Sequence, residues 1–250
     1  MSAPGNAARL VIPDRHLGGT RSSHRWAEMP GNWDRLNTRA LFPGDDEWGV
    51  PLLPESTWIP ARLVAYNDRA ACDRAAGETD VAVHTFLDDY RFEVAWTKPE
   101  RALSRVMRVG AGLTPDFSLW ADMPMAMQLW QVYRSRWCGA WWASHGVRVI
   151  PTISWSTPES YRFAFAGIAT GSVVAISSVG TRSAGDLFAA GYREMLDRLR
   201  PSTVLVYGDL PKTCSVGVDG PAVRCYPTRW RDRSPAPADS SATCSVGGNG

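Results

Sequence analysis

Ser172-Val173-Val174-Ala175-Ile176-Ser177 and Thr203-Val204-Leu205-Val206-Tyr207 are two short runs, almost continuously apolar and rich in β-branched residues. Between them, Asp186 opens a helical stretch that Pro201 ends. Two strands joined through a helix run parallel, because a crossover returns the chain to the same edge of the sheet. Runs that are apolar without alternation belong to strands covered on both faces. Four further runs of this kind precede them, at 62–66, 81–86, 114–119 and 147–154, with helix punctuation in between. Asn67 or Asp68 caps a helix closed by Gly77, and Thr97 with Pro99 opens one that ends at Gly110. Pro124 starts a long helix stopped by Gly146, and Ser156 and Glu159 are spaced as a capping box around Pro158. The pattern predicts an α/β fold of repeated βα units with a mainly parallel sheet. Six strands leave two forms open, an open sheet or an irregular, incomplete TIM-like barrel, since a closed barrel of this kind uses eight.

The ends read differently. Residues 1–37 are rich in Gly, Pro, Asn, Arg and Ser without a sustained period, which predicts a flexible N-terminal arm with Trp26 and Trp33 as its anchors. Residues 211–250 carry Thr-Cys-Ser-Val-Gly twice, at 213–217 and 243–247, and a Pro-Ala-Asp-Ser run, which predicts a disordered low-complexity tail. A single α/β domain is expected over 38–210.

Composition narrows the class. The chain has 250 residues, 44% of them hydrophobic and 21% charged, as ordinary globular proteins do. Its apolar runs fall short of the ~20 residues of a membrane helix, and the N-terminus lacks the pattern of a secretory signal, so a cytoplasmic protein without a membrane partner is expected. Five cysteines at irregular spacing (Cys72, Cys138, Cys214, Cys225, Cys244) read as free thiols. A net charge of +2 makes no electrostatic case for nucleic acid.

In a parallel α/β fold the working edge is the C-terminal end of the strands. Asp88 and Asp89 fall there; adjacent carboxylates serve as acid and base or hold a divalent cation, or else one caps a turn and the other is solvated. Asp116, read as lying inside the third strand, needs a buried partner such as Arg105, Arg108 or Arg134 if its role is structural. Trp120 and Trp155 are candidate stacking walls. Arg134, with Arg136, is a candidate for a phosphate or an acidic substrate. Ser177 heads a Ser-Ser-Val-Gly-Thr turn whose backbone N–H groups could cradle a phosphate, a signal that any βα loop can imitate, and Asp209 ends the sixth strand. Trp130, Tyr133, Trp137 and Trp141 share one helix face and read as core, and His84 as a hydrogen-bonded core residue. The chain contains no nucleophile elbow, Walker A, dinucleotide or His-Glu-x-x-His motif. No metal ligand set or cofactor follows from the sequence.

Thr114-Pro115-Asp116-Phe117-Ser118, the stretch from Tyr133 to Trp142, Val149-Ile150-Pro151-Thr152 leading to Trp155, and Phe86-Leu87-Asp88-Asp89 with Phe92 and Trp96 resemble the bacterial and phage domain of unknown function 4417 over roughly 41–210. That resemblance implies a phage or mobile-element setting and no reaction. Two readings follow. In one, Asp88, Asp89 and Asp116 act on a nucleoside, nucleotide or sugar-like substrate; in the other, a non-catalytic accessory protein binds nucleic acid or protein through terminal arginines such as Arg229, Arg231 and Arg233.

Overall fold

The computed structural model describes residues 36–37, 40–214 and 220–228. Among the described residues lie seven strands and six α-helices, in the order β1 (Arg62–Ala65), α1 (Arg69–Arg74), β2 (Val81–His84), α2 (Val94–Thr97), α3 (Pro99–Val109), β3 (Ala111–Leu113), α4 (Met125–Ser144), β4 (Arg148–Ile150), α5 (Tyr161–Ala164), β5 (Val173–Ser177), α6 (Gly185–Leu199), β6 (Thr203–Tyr207) and β7 (Ala222–Tyr226). All ladders are parallel and the strands lie in sequence order, β1 to β4 in one sheet and β5 to β7 in another. A parallel bridge from Thr152 to Ala175 joins the two.

The strand residues divide by pleat. Val64, Val81, Val83 and Val149 pack outward against Cys72, Leu103, Val106, Trp137 and Trp142 of α1, α3 and α4. Val174, Ile176, Val204 and Val206 pack outward against Phe188, Tyr192 and Met195 of α6. The alternate residues Leu63, Ala82, Leu113, Ile150, Ala175, Leu205 and Tyr226 meet in one interior cluster drawn from all seven strands. A sheet whose inner face converges in this way is rolled. It stops short of closure. Tyr226 donates its hydroxyl to Pro60 O at 2.6 Å and Arg224 reaches Ala61 O at 3.1 Å, and no backbone ladder joins β7 to β1 among the described residues.

The segment before β1 covers the N-terminal end of the roll. Val173 N donates to Ser56 O, and Trp58 packs on the interior cluster. The C-terminal strand ends are therefore the side left for a site.

Several expectations change. The third strand is Ala111–Leu113, not 114–119, because Gly112 sits where a Cβ would lie 2.8 Å from Val106 Cγ1 of α3 and 3.4 Å from the Trp142 ring of α4. Asp116 thus lies three residues beyond the strand, in the loop. β7 falls within 211–250, where a tail was expected; its pairing with β6 buries Tyr226. Near Pro158 no side-chain capping bond forms, and Ser156 Oγ donates to Gln128 instead. Cys72, Cys138 and Cys214 are buried free thiols, whereas Cys225 is disulfide-bonded, its partner lying outside the described residues.

Candidate functional site

Beyond β2, β3 and β4, hydroxyl side chains tie the three chain segments together. Asp116 N donates to Thr85 Oγ1 at 2.8 Å, and Ser154 Oγ donates to Asp116 Oδ1 in a short hydrogen bond. One level below, Thr114 Oγ1 accepts from Thr152 N at 2.9 Å and from Ser135 Oγ of α4 at 3.2 Å. A small cleft opens over these rungs, lined by Asp116, Gln131, Ser135, Arg136, Thr152 and Ser154, with Pro115, Phe117, Leu119 and Val132. It has room for about one water molecule or one substrate functional group. Thr152 Oγ1 is buried without a hydrogen-bond partner and so leaves one polar valence at this wall.

The electrostatics centre on Asp116. Burial of its carboxyl, reinforced by the nearby charge of Asp89, pushes its pKa up to about 6, while the Ser154 hydroxyl and the Arg136 charge pull the other way. Arg136 is almost wholly buried. It donates to Thr152 O at 2.8 Å, Ala164 O at 3.0 Å, Ala166 O at 3.0 Å and Ser135 Oγ at 3.2 Å. Burial lowers its pKa to about 10, and attraction to Asp116 opposes that. The guanidinium therefore braces α4 to the β4 extension and to the end of α5, and it lends Asp116 a fixed positive charge.

The two neighbouring aspartates separate. Asp89 turns inward and accepts from Ser118 N at 3.1 Å, Ser118 Oγ at 2.8 Å and Gln131 Nε2 at 3.4 Å. Asp88 is exposed and pairs with Arg91 at 3.1 Å. Among the described residues no group of three His, Cys, Asp or Glu side chains is placed to hold a metal ion.

The remaining candidates are spread out. Arg134 is held by Glu93 at 2.6 Å and by Gln131, with its guanidinium 3.9 Å over the Phe117 ring. Trp120 stands exposed beside the cleft wall residue Leu119. Trp155 packs under α6, its ring 5.2 Å from that of Phe188 and against Gly191, where a Cβ would lie 2.2 Å from the indole. Ser177 accepts from Val179 N at 3.2 Å, and Asp209 is exposed; neither lines this cleft. His84 accepts from Phe86 N and packs on Tyr207 with ring centroids 4.6 Å apart. Arg229, Arg231 and Arg233 lie outside the described residues. The hydroxyls of Thr85 and Thr114 beneath the cleft and of Thr152 and Ser154 in its wall share one sequence signal, a Ser or Thr one to four residues past an apolar strand.

The family described as Domain of unknown function (DUF4417) matches residues 42–227. The chain belongs to this family. The match spans β1 through β7, and so includes the last strand and the whole Asp116 cleft. The chain is similar to the Gene 1 protein of Mycobacterium phage L5, at 52% identity over 220 residues, covering 87% of this chain and 95% of the relative. It is similar also to the Gene 1 protein of Mycobacterium phage D29, at 49% identity over 227 residues, covering 90% and 83%. No solved structure matches. No helix among the described residues is long and apolar enough to cross a membrane.

Proposed function

We propose that this family member is an enzyme in which Asp116 transfers a proton to or from a hydroxyl or amine of a nucleoside or sugar-like substrate. The observation that carries the reading is a carboxyl poised near neutrality in a hydroxyl-lined cleft at the C-terminal strand ends. A group with a pKa near the working pH is present in both protonation states, which is what general acid–base catalysis needs.

The parts have distinct roles. The Ser154 hydroxyl stabilises Asp116 as carboxylate, and when Asp116 takes a proton from the group that enters the cleft it becomes neutral and the negative charge passes to that group. Arg136 steadies the ionised form, while Asp89 keeps the protonated form accessible. Thr152 Oγ1 supplies a contact for the entering group. Both arginines near the cleft are saturated by protein acceptors, so its wall favours a neutral or cationic group over a phosphate. This supports the sugar or base portion of a nucleotide as the part that enters, with Trp120 available to stack outside.

A thermal-shift screen tests the reading, with wild-type chain and Asp116→Asn side by side against nucleosides, nucleotides, monosaccharides, divalent cations and short nucleic acids. A shift with a nucleoside or sugar that weakens in the variant, followed by turnover of that compound, supports the enzyme. Salt-sensitive nucleic-acid binding that survives the substitution, with no small-molecule shift, would instead establish the accessory-protein reading.

A further inference from the structure

Around the junction held by Asp89 lies a patch of large apolar side chains that no described residue covers. Tyr90 is 73% exposed, Trp120 64%, Met127 54% and Trp130 39%. They belong together. Asp89 binds Ser118 and Gln131, which places Tyr90 beside the 118–120 loop and the first turns of α4. Gln128 donates to Trp120 O and Met123 O, which fastens that loop to the same helix. Met127 lies four residues before Gln131 and three before Trp130 on α4, and so neighbours both. Exposed Trp, Tyr and Met in one patch have the composition of an interface centre. Its surroundings hold Asp88, Asp89, Glu93 and Asp122 against Arg91 and Arg134, which pair with Asp88 and Glu93, so acids remain in excess. Acidic surroundings disfavour a phosphate backbone and suit a segment that brings arginines with its apolar residues.

The chain carries such a segment, and it enters beside the patch. Asn37 is buried in a left-handed conformation with φ 52°, and its side-chain amide donates to Trp96 O at 3.0 Å. The Trp96 ring in turn contacts Trp130 edge-on, with centroids 5.1 Å apart. The chain before residue 36 therefore starts one indole away from the patch. Residues 1–35 hold Trp26, Met29 and Trp33, with Arg9, Arg15, Arg21, Arg25 and Arg35 against Asp14, Glu28 and Asp34. Trp33 is three residues from Leu36, a reach of about 10 Å in extended chain.

We infer that the N-terminal segment from about Arg21 to Arg35 docks on the patch formed by Tyr90, Trp120, Met127 and Trp130, with Trp33 against Trp130. The inference stands on the patch and on the position of Asn37, and holds whether or not Asp116 is catalytic.

The test is photo-cross-linking in the full chain, with a photo-activatable phenylalanine analogue in place of Met127 and, as a control, in place of Leu187 on α6. The experiment uses a mixture of unlabelled and 15N-labelled chains, digested and mapped by mass spectrometry. Docking predicts that the probe at 127 captures residues 21–35 of its own chain, that the probe at 187 does not, and that Trp33→Ala reduces the capture severalfold. Cross-links between light and heavy chains would overturn it in favour of self-association through the patch. Capture only of other segments, or no capture at all, would overturn it outright.

Discussion

The carboxyl of Asp116 makes a stability prediction that runs against the usual effect of altering an enclosed residue. Burial and Asp89 raise its pKa from 3.8 to about 6, so between those values the folded chain holds a proton that the unfolded chain releases. Stability contributed by this group is therefore complete below about pH 4 and is lost as pH rises through about 6. A shift of that size is worth about 3 kcal/mol at neutral pH and above. Asparagine cannot ionise and escapes this penalty, while weakening the Ser154 contact costs about 1 kcal/mol. Asp116→Asn is thus expected to be more stable than wild type by about 2 kcal/mol at pH 8, which for a chain of this size is a Tm higher by about 4–8 °C. At pH 4 the advantage disappears. Calorimetric melts of both proteins at intervals from pH 4 to pH 8 read this directly. A variant less stable than wild type at pH 8, or two proteins with the same pH slope between 4 and 6, would refute the reasoning.

Related substitutions probe the same network. Asp89→Asn removes a charge that raises the Asp116 pKa, so the pH midpoint of the stability profile is expected to move down, measured by the same melts. Arg136→Leu strands the carbonyls of Thr152, Ala164 and Ala166 and deprives Asp116 of its cation. Urea unfolding is expected to show a loss of at least about 3 kcal/mol, and Arg136→Lys restores only part of it, because one ammonium cannot span acceptors set in a fork. Gly191→Ala drives a methyl into the Trp155 indole and is expected to cost about 1–3 kcal/mol. Combining it with Trp155→Leu should relieve most of that cost in thermal melts, which places Trp155 as the seat of α6.

Much of this was legible in the sequence where physics leaves a local mark. Val173 to Ser177 and Thr203 to Tyr207 are buried on both faces, and burial on both faces leaves an unbroken apolar run. The real third strand hides because packing forbids its middle residue a side chain; Gly112 lies under Val106 and Trp142, so the strand reads as Ala-Gly-Leu. The stretch after it, with the bulky Phe117 and Leu119, reads more like a strand and carries Asp116 into an element it only follows. β7 escaped because half-buried Arg224 and Cys225 at a sheet edge give a weak pattern next to low-complexity sequence. Within the site, the aspartates at the strand ends could be named from sequence, but their division of labour could not. Asp88 and Asp89 are neighbours in the chain, yet one finds Arg91 in solvent and the other finds Ser118, 29 residues away. The Asp116–Ser154 contact spans 38 residues and exists only through the pairing of β3 with β4. Arg134 and Arg136 look alike in sequence, two positions apart on α4, and only the neighbours of the helix decide that one meets Glu93 and the other a ring of carbonyls.

Whether Asp116 is a proton-transfer group facing a ligand cleft can be read by 13C NMR of the chain labelled at aspartate side-chain carboxyls. The resonance that vanishes in Asp116→Asn identifies the group. A proton-transfer role requires that it titrate with a midpoint near 6 and that the midpoint move when the nucleoside or sugar selected by thermal shift is added. A midpoint at or below 4, or one that ignores a ligand that binds the folded chain, would contradict it.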